Sequence, residues 1–170
     1  MKKQQNNRRK QLAALVLTLA MLLSATAWAG FADVPEDSDA FEAIEWARTT
    51  GLVGGTSEGL FEPNAPLTKA AFVTILWRMW DSPVVDTSSG SPDIWCTNGA
   101  WYENAANWGV FSGVLKSIDG IGAPLDGATF NEMMAAAGMS AASSSAVVTR
   151  GEAVSAMYAS ILASQSPNQE

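Results

Sequence analysis

From residue 39 onward, apolar positions return at intervals of three and four, in separate stretches divided by glycine and proline. Ala40, Ala43, Ile44 and Ala47 fall at i, i+3, i+4 and i+7, which is one face of a helix. Gly51 suits the left-handed residue that ends such a helix. Phe72, Ile75, Leu76 and Met79 repeat the spacing, as do Phe130, Met133, Met134 and Ala137, and again Val154, Met157, Tyr158 and Ile161. Gly54-Gly55 and the Phe61-Glu62-Pro63 turn separate the first two helices, with Phe61 expected as an apolar plug beneath the loop. The pattern predicts an all-α chain of helix, loop and helix, repeated.

The repetition extends to residue identity. When Trp46 is laid on Trp108, both copies run Trp, four residues, Gly, aliphatic, to Gly51-Leu52 and to Gly113-Val114, and Ala43 falls on Ala105. Further on, "APLTKAAFVTIL" (Ala65 to Leu76) matches "APLDGATFNEMM" (Ala123 to Met134), pairing Pro66 with Pro124, Leu67 with Leu125 and Phe72 with Phe130. The two blocks keep their order in both copies. A third copy of the second block starts at Val147 and runs to Leu162, with no clear first block ahead of it.

Each second block opens on a capping residue. Thr149 and Glu152 have the spacing of a capping box, in which threonine accepts from the glutamate N–H and the glutamate reaches back. Thr68 caps alone, worth about 1 kcal/mol against alanine, and Asp126 takes the same place in the second copy. Just inside two of these caps stand Lys69 and Arg150. A cation at a helix N-terminus meets the positive end of the macrodipole, at a cost of up to about 1 kcal/mol. Both therefore call for a compensating partner outside the helix.

The first residues belong to a different reading. Lys2, Lys3, Arg8, Arg9 and Lys10 precede an apolar run of twelve residues, Leu12 to Leu23, and the small-residue site Ala27-Trp28-Ala29. This is the form of a secretory signal peptide, residues 1–29 with cleavage expected after Ala29. Its core is short of the roughly 20 residues of a membrane span, and no later segment is longer and as apolar, so no membrane partner is expected after cleavage. Five of the ten basic residues leave with it while all seventeen acids stay, so five cations face seventeen carboxylates, a net charge of −12.

That balance makes nucleic acid a poor partner, because polyanions are held by clustered Lys and Arg. Histidine is absent, which excludes Ser-His-Asp and Cys-His nucleophile systems and a His-containing zinc site built from this chain alone. Cys96 is alone and forms no internal disulfide. The acidic run "DVPEDSD" (Asp33 to Asp39) lacks the glycine and distal glutamate of an EF-hand loop, so it reads as the solvated approach to a helix, capped by Ser38 or Asp39. No metal and no cofactor is expected, and no enzyme signature is present.

Taken together, "FADVP" (Phe31 to Pro35), "AIEWARTTGLVGG" (Ala43 to Gly55), "LFEPNAPLTKAAF" (Leu60 to Phe72) and "TRGE" (Thr149 to Glu152) resemble the S-layer homology family. Under that resemblance residues 30–81 are a full repeat, 82–98 a connector, 99–138 a degenerate repeat, 139–163 the helix of a partial third repeat and 164–170 a polar tail. The resemblance implies helix-loop-helix units packed around a pseudo-threefold helical core, in an exported, non-enzymatic bacterial protein. It implies noncovalent binding of a pyruvylated secondary cell-wall polysaccharide in grooves between units, with the arginine of the Thr-Arg-x-Glu motif as a contact. Arg150 matches that arginine, Lys69 is a conservative departure from it, and Gly127 stands there in the second copy. Trp46 and Trp108 recur at one place, which fits either packing between helices or stacking on sugar. The degraded second copy leaves an alternative, a protein–protein adaptor or S-layer assembly subunit joining other chains of this kind.

Overall fold

Five helices form among the residues that the computed structural model describes, 30–56, 58–88 and 95–166. They are α1 (Phe41–Thr49), α2 (Lys69–Met79), α3 (Glu103–Ser112), α4 (Gly127–Ala136) and α5 (Arg150–Gln165). The expected signal peptide lies outside the described residues, as does part of the connector. Among the described residues there is no strand; Pro66 with Thr149 and Thr68 with Pro124 form isolated antiparallel bridges.

Those bridges flank the centre of the molecule. Leu67 donates its N–H to the Val148 carbonyl at 2.9 Å, Val148 donates to Leu125 at 2.7 Å, and Leu125 donates to Leu67 at 2.7 Å. The three residues ahead of α2, α4 and α5 thus close a ring of backbone hydrogen bonds. The ring answers a physical need, since all three are fully buried and an unpaired buried amide or carbonyl costs about 1 to 3 kcal/mol. Next to it Phe72 and Phe130 meet with ring centroids 4.9 Å apart. Leu76, Met134 and Met157 are likewise sealed from solvent.

The helix starts are tied together as well. Thr68 accepts from the Ala71 N–H at 3.2 Å, Asp126 from Thr129 at 2.8 Å and Thr149 from Glu152 at 3.2 Å. The preceding N–H groups, which a helix leaves without internal partners, go to loops elsewhere in the chain. Lys69 and Ala70 donate to Ala123 and Ile121, Gly127 donates to Ser145, and Arg150 and Gly151 donate to Ala65 and Pro63. So α2 rests on the loop before α4, α4 on the loop before α5, and α5 on the loop before α2.

Two helices complete the outside, α1 against α5 and α3 against α2. Trp46 of α1 sits 5.5 Å from Tyr158 of α5, centroid to centroid. Gly109 lets α3 close on α2, because a Cβ there would lie 2.6 Å from Val73 Cγ2 and 2.9 Å from Leu115 Cδ1. Gly109→Ala is expected to cost about 1 to 3 kcal/mol through overpacking, read as a lower urea midpoint despite alanine's better helix propensity.

Against α4 lies the segment 139–146. Asn131, at the position matching Val73, donates its Nδ2 to the Ser143 carbonyl and accepts the Ser143 N–H, both at 2.9 Å. This strap corrects one expectation about Glu152. Its carboxylate accepts from the hydroxyls of Ser143 and Ser145, so it serves the strap and not the reciprocal arm of a capping box. A second correction concerns α1, whose N-cap is Ala40 with no side-chain hydrogen bond; neither Ser38 nor Asp39 caps it. The Ser38 hydroxyl is buried and makes no hydrogen bond. Cys96 is buried in the core, its N–H donating to Asn107 Oδ1 at 2.7 Å and its carbonyl accepting from Asn107 Nδ2 at 3.0 Å.

Candidate functional site

Beyond the expected signal peptide only five basic residues remain, Arg48, Lys69, Arg78, Lys116 and Arg150. Four of them line two grooves. Arg48 is the exception and pairs with Glu45 at 2.7 Å, one turn away on α1.

The first groove is walled by Leu52, Val53 and Gly54 after α1, by Ala71, Thr74, Ile75 and Arg78 on α2, and by Trp101 and Arg150. Arg150 enters from the start of α5 and is half-buried. Its Nε donates to the Phe61 carbonyl at 2.7 Å, an Nη donates to Gly54 O at 3.4 Å, and the guanidinium lies 4.8 Å from the Phe61 ring centroid. Burial pulls its pKa below the ordinary arginine value, while the carboxylates of Glu62 and Asp33 act in the opposite sense. Here is the compensation that a cation at a helix start requires.

Asp33 holds the loop that carries those carbonyls. Its two oxygens accept the Phe61 and Glu62 N–H groups at 2.8 and 2.6 Å. Burial opposes ionisation of this carboxyl, but the donated N–H groups and Arg150 outweigh it and hold the pKa below the ordinary aspartate value. A carboxyl depressed on folding stabilises above its unfolded pKa, near 3.9, and loses that contribution as pH falls through the lower folded value. Asp33→Asn is therefore expected to lower the melting temperature at pH 6, with the gap to the native chain narrowing below about pH 4.

Arg78 donates to the Leu52 carbonyl at 3.0 Å and brings a second guanidinium to the same groove. Trp101 is 69 % exposed and stands edge-on to Tyr102 at 5.3 Å. Sequence reasoning singled out neither as a contact. The available signal was scarcity: with so few cations in so acidic a chain, each one's location carries information.

The second groove repeats the first with other residues. Val114, Leu115 and Lys116 follow α3 as Leu52, Val53 and Gly54 follow α1. Thr129, Glu132, Met133 and Ala136 of α4 stand where α2 has Ala71, Thr74, Ile75 and Arg78. Lys69 occupies the place of Arg150, and its ammonium donates to the Asp119 carbonyl at 2.7 Å. Lys116 Nζ meets Glu132 Oε2 at 2.8 Å across the groove. At the third helix start Gly127 leaves no side chain, and the strap fills the space: a Cβ would lie 2.8 Å from the Ser143 carbonyl oxygen.

The two tryptophans of the repeat part company. Trp46 is half-buried against Tyr158, whereas Trp108 is buried at 7 % exposure and, with Trp80, Pro83 and Val114, borders an apolar groove at the ends of α2 and α4. Neither lines the groove of Arg150. Among the described residues no cluster of His, Cys, Asp and Glu is placed to hold a metal ion, and no helix is long and apolar enough to cross a membrane.

Residues 30–73 match the S-layer homology domain family. Over 101 residues the chain is 32% identical to the S-layer protein sap of Bacillus anthracis and, equally, to an S-layer protein of Bacillus thuringiensis subsp. finitimus. Each match covers 56% of this chain and 12% of the relative, so the chain spans a small part of the length of these proteins.

Proposed function

We propose, from the match of residues 30–73 to the S-layer homology domain family, that the chain is a non-enzymatic cell-surface anchor that binds an acidic, pyruvylated secondary cell-wall polysaccharide. The three helix starts act as one pseudo-threefold unit, with the groove of Arg150 as the binding site. A single observation carries this reading. In a chain with five cations against seventeen acids beyond the expected leader, two guanidiniums, Arg78 and Arg150, line one groove with no carboxylate among its wall residues.

The chemistry fits a carboxylate-bearing sugar. A pyruvate ketal presents a planar carboxylate, which a guanidinium fork binds better than an ammonium does. Half-burial of Arg150 strengthens the attraction, because charges in a partly desolvated site are screened less than those in water. The exposed indole of Trp101 offers a face for the sugar ring. The overall negative charge weakens long-range attraction but fades beyond about 8 Å at physiological salt.

The secreted chain should be retained on purified bacterial wall sacculi and lose retention when the secondary polymer is stripped from them. Equal retention on stripped walls would defeat the anchoring claim. A second reading, an assembly subunit joining other chains, draws on the apolar groove at Trp80, which is 54 % exposed, and Trp108. Light scattering separates the two, since a stable oligomer without wall affinity favours the subunit.

A further inference from the structure

The two grooves share one architecture and differ in charge at three positions; Arg78 of the first is replaced by Ala136 in the second, and two further changes bring in new charges. Where the first has Thr74, the second has Glu132; where the first has Gly54, the second has Lys116. We infer that Glu132 closes the second groove to anionic ligands, so that the chain offers one acidic-sugar site where its fold builds two. The inference rests on the glycan reading above and adds a residue that sets stoichiometry.

Four observations support it. Glu132 brings a carboxylate into the groove, where it repels an incoming anion. It also consumes Lys116, whose ammonium it holds at 2.8 Å. An incoming anion would have to break that pair or approach its negative end. The remaining cation, Lys69, already has its ammonium on the Asp119 carbonyl at 2.7 Å. Ala136 stands where the first groove has Arg78, so no further donor replaces the loss. The side chain of Glu132 is 59% exposed. Its role is therefore not one of core packing, and replacing it should leave the fold intact.

The test uses isothermal titration of the secreted chain with a monosaccharide carrying a pyruvate ketal. The native chain is expected to bind one equivalent, and Arg150→Ala to weaken that binding about a hundredfold. Glu132→Thr, which installs the residue of the first groove, is expected to bind two. The double variant Glu132→Thr, Arg150→Ala should keep one equivalent, with affinity at least about tenfold above that of Arg150→Ala alone. Circular dichroism and melting temperature verify that each variant is folded. Two equivalents on the native chain would overturn the inference, as would a single equivalent on folded Glu132→Thr together with no binding by the double variant. Absence of binding by the native chain would instead defeat the glycan reading, and this inference with it.

Discussion

Phe72→Ala is expected to destabilise the protein by about 3 to 5 kcal/mol, the usual loss when a fully buried phenylalanine is truncated. The ring has no exposed surface and meets Phe130 at 4.9 Å, beside the backbone ring of Leu67, Leu125 and Val148. Collapse around the cavity is restricted because those three residues are fixed to each other by hydrogen bonds. A loss of that size consumes much of the roughly 5 to 15 kcal/mol that a domain possesses. Urea unfolding followed by circular dichroism should show the midpoint fall accordingly, with Phe130→Ala close to it. Because the two rings touch, the double variant should lose less than the sum of the singles. An additive pair would mean that the two helices do not share one core.

That core was legible in the chain because the second block of each copy combines a cap with the same apolar spacing. Phe72, Leu76, Phe130, Met134, Val154 and Met157 are all buried, and Phe61 is a sealed plug against Phe31, with centroids 5.3 Å apart. Periodicity reports which face of a helix is apolar, and so it located these residues. It does not report where a helix start sends its backbone N–H groups. The exchange between helix starts and loops joins residues far apart in the chain, such as Lys69 with Ala123 and Arg150 with Ala65, and leaves no local mark. The same applies to Asn131. A polar residue at an apolar position of the repeat gives no local sign of its partner, and here it holds the strap that lies against α4. Caps fared unevenly for a related reason. A threonine followed by a helix has one local use, which Thr68 and Thr149 fulfil, but the glutamate of a capping box is free to turn outward, and Glu152 found two serine hydroxyls there. In the groove, the Thr-Arg-x-Glu pattern pointed to Arg150 because the pattern is local. Arg78 and Trp101 join it from other elements, and only the packing of α2 and the approach to α3 reveals them.

Arg150→Ala is expected to reduce affinity for the wall polymer about a hundredfold, on the reading proposed above. Removing one partner of a partly buried, hydrogen-bonded charge pair costs about 2 to 5 kcal/mol, and every 1.4 kcal/mol is a factor of about ten. The same change also removes a donor to the Phe61 carbonyl and a cation above its ring. Some loss of stability, on the order of 1 to 2 kcal/mol, should accompany it, and melting temperature must be read beside affinity. Arg150→Lys separates the two contributions. Lysine keeps the charge but not the planar fork, so it should bind about tenfold more weakly than the native chain and melt between it and the alanine variant. Arg78→Ala should weaken binding by a similar factor of about ten, through loss of the second guanidinium. Lys69→Ala should leave affinity within about threefold, a change of well under 1 kcal/mol, because its groove already holds Glu132 and its ammonium is bonded to Asp119. Ranked in that order, the four variants assign the acidic sugar to the groove of Arg150. If Lys69→Ala proved the most damaging, the ligand would belong to the other groove, and the carboxylate of Glu132 would have to be reconciled with it.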